Sequence, residues 1–171
     1  MRGSLGVRSA ATPPARRFGR VSEKWFEDYV VGTTTEHGSV RVEEAEVVDF
    51  GRRFDPQPFH VDREAAADGP YGGLIASGWH TCALMMRLLA QEYLSPVSSL
   101  GSPGIDELRW LRPVRPGDEL ALRTTVQEAR LSRSKPDRGL VRTHVELVGT
   151  GGAVVLSLLA MNLVRARPAQ R

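Results

Sequence analysis

Two carboxylates and one imidazole fall close together in the stretch FDPQPFHVD, residues 54–62. Asp55 and His60 are the pair with chemical potential. A carboxylate and an imidazole that meet in one cleft can hold a water and share its proton between them. Pro56 and Pro58 fix the backbone around them, so the spacing predicts a stiff, non-helical segment presenting both side chains. A second reading stays open on these residues alone: a proline-rich turn with an Asx cap and a surface histidine. If the carboxylate does sit in an apolar pocket, it is costly for folding, and replacing it should leave stability unchanged or raise it.

A second candidate is the pair Gly72-Gly73, which precedes the apolar run LIASGWHTCALMMRLLAQEYL, residues 74–94. That run predicts a helix over Leu74–Leu94, apolar all round in its first turns and therefore buried. Unpaired N–H groups at a helix start can stabilise a carbonyl oxygen that gains negative charge. A tight turn that simply needs glycine explains the same pair. Ser77 and Gly78 fall in the second turn of this helix, where they could line a pocket or allow close packing, and Gln57 lies between the two candidate catalytic residues. His80 is expected packed and hydrogen-bonded inside the helix, His37 in a turn, His144 on the polar side of a strand, and Cys82 in the core.

The elements that must position these groups follow from periodicity. Residues 32–42 read as a strand or short hairpin. Glu43 to Phe54 reads as a helix with Val47, Phe50 and Phe54 as its apolar stripe, ended by Pro56. A short helix follows over Asp62–Ala67, with Asp62 as N-cap. In the C-terminal part Leu108 and Trp110, then Leu120 to Val126, then Val141 to Leu147, alternate apolar with polar residues, and residues 153–164 form a further apolar strand. Helix-rich then strand-rich order gives an α+β class, with one apolar helix wrapped by a curled antiparallel sheet.

The chain has 171 residues, 41% hydrophobic and 25% charged, which suits one globular domain. Its net charge of +3 comes from the first 20 residues, which hold Arg2, Arg8, Arg16, Arg17 and Arg20 and no acid. The remainder carries 18 basic residues against 20 acids, without interleaved basic and aromatic residues, so a nucleic-acid partner is not expected. The charge-free stretch Gly69–Met86 is too short and too polar to span a membrane. Residues 1–20 read as a disordered basic tail, or loosely as a transit segment, ahead of a domain over 21–165 and a short tail over 166–171. The tail has no apolar leader region, and Cys82 is the only cysteine, which fits a reducing, cytoplasmic location. No Cys/His spacing suggests a metal site.

Taken in order, D-P-Q-P-F-H, G-G-L-I-A-S-G-W-H and L-R-P-V-R-P-G-D-E-L resemble the MaoC-like dehydratases, the R-specific enoyl-CoA hydratases of the hot dog fold. The resemblance runs from about Trp25 to Val164. The family's loop motif, Asp-x-Asn-Pro-x-His, reads here Asp55-Pro56-Gln57-Pro58-Phe59-His60, with Gln for Asn. Phe54 stands where the family has Gly, and Gly72-Gly73 stands for a His-Gly pair. The resemblance implies that Asp55 and His60 hold the water that adds to or leaves C3 of an acyl thioester. It implies that backbone N–H near Gly73 binds the thioester carbonyl, with Gln57, Ser77 and Gly78 as pocket candidates. Coenzyme A would be part of the substrate, and no metal or redox cofactor is implied. Family members pair as homodimers with the acyl tunnel at the interface, so a homodimer or multiple of dimers is expected. Two other functions remain: a hot dog thioesterase, which typically carries an acid on the central helix, and a non-catalytic acyl-CoA-binding protein. Arg52, Arg53, Arg109, Arg112 and Arg115 are open as contacts to the phosphates of coenzyme A or as solvated surface.

Overall fold

Alternation in the C-terminal half builds the sheet. In the computed structural model, which describes residues 23–168, Leu120, Leu122, Thr124 and Val126 are buried on one strand, and Val141, Thr143, Val145 and Leu147 on its neighbour. Their polar neighbours face outward, where Arg123 and Glu146 pair at 2.8 Å. The strands are β1 (Thr34–Arg41), β2 (Gly104–Trp110), β3 (Glu119–Leu131), β4 (Arg138–Val148) and β5 (Val154–Arg165). All pairings are antiparallel in the order β1-β3-β4-β5-β2, so β1 and β2 are open edges. The basic tail read over 1–20 lies outside the described residues.

Residues 32–42 give the single strand β1, with a register shift between Glu36 and Ser39, and not a hairpin. His37 therefore sits in a strand and not in a turn, bonded to Thr124 Oγ1 at 2.9 Å.

The buried helix is shorter at its start than the apolar run predicts. It comprises α4 (Gly78–Leu88), the fourth helix in chain order, and continues as a π turn over Leu89–Tyr93. Leu74 to Ala76 are not helical: Ile75 N–H donates to Phe59 O at 3.1 Å and Ala76 N–H to Val114 O at 2.8 Å. Hydropathy cannot separate a buried non-helical segment from a buried helix, and Ser77 marks the true start. Its Oγ caps the helix by accepting from Trp79 N–H at 3.2 Å. Leu84, Met85, Leu88, Leu89 and Tyr93 then pack on the inner face of the sheet with Leu122, Val145, Leu147 and Leu158.

Three short helices cross between β1 and α4. They are α1 (Glu44–Phe54), α2 (Pro58–Val61) and α3 (Arg63–Ala67). Helix α1 buries Val47 and Gly51, whereas Phe54, expected in its apolar stripe, is 64% exposed. Asp55 caps the C-terminus of α1 at φ −152° and ψ 69°, outside the helical region that a following proline disfavours. The segment after it is not wholly non-helical: Pro58 sits at the start of the single turn α2, where its missing N–H costs nothing. Asp62 caps α3 as expected, its Oδ1 accepting from Glu64 N–H at 2.9 Å and Ala65 N–H at 3.1 Å.

Candidate active site

Asp55 and His60 meet. His60 Nε2 lies 3.2 Å from Asp55 Oδ2, with the imidazole buried and the carboxylate about one-fifth exposed, 21% by side chain. The two residues come from the end of α1 and from α2, and one glycine lets these helices approach. A Cβ on Gly51 would lie 2.8 Å from Val61 Cγ1 and 3.1 Å from His60 Cβ.

The imidazole ring and both carboxylate oxygens are oriented by neighbours. His60 Nδ1 is 2.8 Å from the carbonyl of Ile75, which can only accept, so Nδ1 carries a proton. Nε2 is then the atom that gains or loses one. Asp55 Oδ2 accepts from Ser77 Oγ at 2.6 Å, and Oδ1 accepts from Gln57 Nε2 at 2.7 Å. The Ser77 hydrogen bond is the main cause that holds the Asp55 carboxyl below its ordinary range. Burial works against it, and Gln57 and the His60 charge add to the lowering. Ser77 thus joins two elements, capping α4 while fixing the carboxylate.

Asp55 and His60 line a cavity of about 530 Å³, whereas Ser77, read from sequence as a pocket candidate, is fully buried and touches the carboxylate without being among the lining residues. The cavity floor includes the buried residues Ile75, Ala76, Thr81 and Val114, and its rim the exposed residues Tyr71, Trp79, Trp110 and Leu111. Gln57 and Gly78 line it too. Gly78 is the first residue of α4, so its N–H has no intrahelical acceptor.

Gly73 falls elsewhere. It does not open the helix, and it is not among the residues lining the cavity. Its N–H already donates to the carbonyl of Ala66 at 2.8 Å. Its φ of +144° shows that the turn itself needs glycine. Gly78 holds the helix-start position that Gly72-Gly73 was expected to hold.

Of the five arginines weighed for phosphate contacts, Arg112 lines the cavity. Arg115 donates to the carbonyl of Tyr71, and Arg53 lies 3.6 Å from Asp49. His80 is buried as expected, stacked on Phe50, but its Nδ1 has no hydrogen-bond partner among the described residues. Among the described residues no group of three or more His, Cys, Asp or Glu side chains gathers into a metal-binding cluster, and no helix is long and apolar enough to cross a membrane. Sequence spacing missed two contacts, Ser77 to Asp55 and Ile75 O to His60, because both join segments that only the fold brings together.

Residues 28–148 match the model of the MaoC like domain, and the chain belongs to that family. The architecture is the hot dog fold, with an unclosed five-stranded antiparallel sheet around one helix. A 3-hydroxyacyl-thioester dehydratase Z of Mycobacterium tuberculosis is 33% identical over 97 residues, 56% of this chain and 64% of that protein. The match thus spans just under two thirds of that relative's length. The crystal structure of a MaoC-like dehydratase from Rhodospirillum rubrum is 42% identical with a TM-score of 0.79, covering 85% of this chain and 99% of that one. An (R)-hydratase from A. caviae involved in PHA biosynthesis is 27% identical with a TM-score of 0.63, covering 81% of this chain and 97% of that one.

Proposed function

We propose that the protein is a hydro-lyase that adds water to an enoyl-CoA thioester or removes it from the 3-hydroxyacyl-CoA. The observation that carries this reading is the pair Asp55 and His60 on the wall of one cavity, with Ser77 holding the carboxylate from behind it. In the hydration direction a water held between Asp55 Oδ2 and His60 Nε2 attacks C3. One of the pair takes the water's proton, the C2–C3 π bond breaks, and the pair returns a proton to C2. The thioester carbonyl accepts from the free N–H at the start of α4, at Gly78, which polarises the enoyl system. Coenzyme A is the carrier, and the reaction requires neither a metal nor a redox cofactor. Membership of the family and the (R)-hydratase and dehydratase relatives support the reaction class. A thioesterase carrying an acid on the central helix fits less well, because α4 holds none and Glu92 lies in the π turn beside Gly38, at the other end of the helix.

The test is a panel of enoyl-CoA esters followed at the absorbance of the conjugated thioester. Crotonyl-CoA should lose that absorbance on addition of the protein. No turnover with any ester would move the assignment to a non-catalytic acyl-CoA-binding protein.

We also propose a homodimer, or a multiple of dimers, as the working unit. The open edge β2 and the exposed Trp79, Trp110 and Leu111 around the cavity support it. Sedimentation of the active species should give a dimer or larger even-numbered assembly, and a stable active monomer would refute it.

A further inference from the structure

Trp110 ends β2 and lies across the first turn of α4. Its Nε1 donates to the carbonyl of Gly78 at 2.9 Å. A Cβ on Gly78 would sit only 2.7 Å from Cε2 and Nε1 of the indole, so the ring occupies the space beside the Gly78 backbone. Trp79 braces it edge-on, with ring centroids 5.5 Å apart and planes at 77°. Both rings line the cavity that holds Asp55 and His60. The hydrogen bond and the edge contact fix the indole in place, so the ring acts as a rigid wall.

We infer that Trp110 is a specificity-determining residue that excludes acyl groups substituted at C2. The inference rests on the hydro-lyase reading in one respect: it seats the thioester carbonyl on Gly78 N–H. C2 is bonded to that carbonyl carbon, so a substituent at C2 is carried toward the indole beside Gly78. A linear acyl group offers only hydrogen there. In that seating C3 is held at the dyad, across the cavity that both share.

Butyryl-CoA and isobutyryl-CoA contain the same atoms and differ in branching at C2. Both are saturated, so their affinities are read by calorimetry without turnover. The wild-type protein should bind butyryl-CoA at least about tenfold more tightly, within the range a shaped apolar pocket achieves for one methyl group. Trp110→Leu should bring the two affinities within about threefold, chiefly by improving isobutyryl-CoA. Trp110→Phe keeps a ring against Gly78 and should give an intermediate ratio, which decides the matter if the leucine variant fails to fold. An unchanged ratio in the folded Trp110 variants, or a wild-type protein without preference, would overturn the assignment. Turnover of crotonyl-CoA against tigloyl-CoA is measured in parallel. If no enoyl ester turns over yet the binding ratio shifts as stated, the hydro-lyase reading falls and the wall stands.

Discussion

Asp55→Asn and His60→Ala each lower hydration of a crotonyl ester by about 10²–10⁴-fold, the usual contribution of a positioned acid or base. The double variant loses little more than the worse single one, because both groups serve one water and one proton transfer. A double loss near the product of the singles would instead mean that the residues act independently. The acid limb of kcat/KM belonging to Asp55 lies below the ordinary aspartate value of about 3.9, since Ser77 and then Gln57 hold the carboxylate ionised against the effect of burial. Stability moves opposite to what an apolar pocket implies. A carboxyl whose folded pKa is depressed contributes stability above its unfolded pKa and loses it as pH falls through the folded value. Asp55 accepts two hydrogen bonds, so Asp55→Asn lowers the urea midpoint at neutral pH, and the difference from wild type closes in acid. Wild-type turnover in either folded single variant would remove the lyase assignment.

The dyad was legible because it is local. Asp55 and His60 belong to one proline-bounded stretch, and the period-2 burial of β3 and β4 follows their alternation residue by residue. What the sequence hides is the contact between distant segments. Ser77 stands 22 residues from Asp55, and nothing in either neighbourhood says that its hydroxyl caps α4 and holds the carboxylate at once. The helix start was lost for a related reason. Leu74 to Ala76 are buried beneath Phe59 and Val114 through backbone bonds, and burial by the rest of the fold looks the same in a hydropathy pattern as burial by a helix. The apolar run therefore points to a helix start at Gly73, whose φ of +144° belongs to a turn. Phe54 fits the stripe of α1 by spacing but faces out, because the helix turns its Val47 and Gly51 side to the core and to α2.

Gly51→Ala should damage catalysis without touching a reacting atom. In a helix interior alanine is favoured over glycine by about 1 kcal/mol, so on propensity alone the substitution stabilises α1. Packing opposes this. The new methyl would stand 2.8 Å from Val61 Cγ1 and 3.1 Å from both Cβ and the carbonyl oxygen of His60, which belongs to the backbone of α2 and cannot rotate away. Overpacking of this kind costs about 1–3 kcal/mol, so the net effect is a modest fall in the melting temperature. To relieve the contact α2 must move off α1, and His60 moves with it while Asp55 stays at the end of α1. The 3.2 Å separation of Nε2 from Oδ2 then widens. A displacement near 1 Å in a positioned group can cost about 10²-fold, so a shift of a few tenths of an ångström should lower kcat by about four- to tenfold. The companion Gly51→Ala/Val61→Ala removes the closer contact and leaves the one with His60. It should recover much of the melting temperature and only part of kcat. If Gly51→Ala instead melts higher than wild type and keeps its full kcat, the approach of α2 to α1 does not set the dyad, and the positioning must come from Ile75 and Ser77 alone.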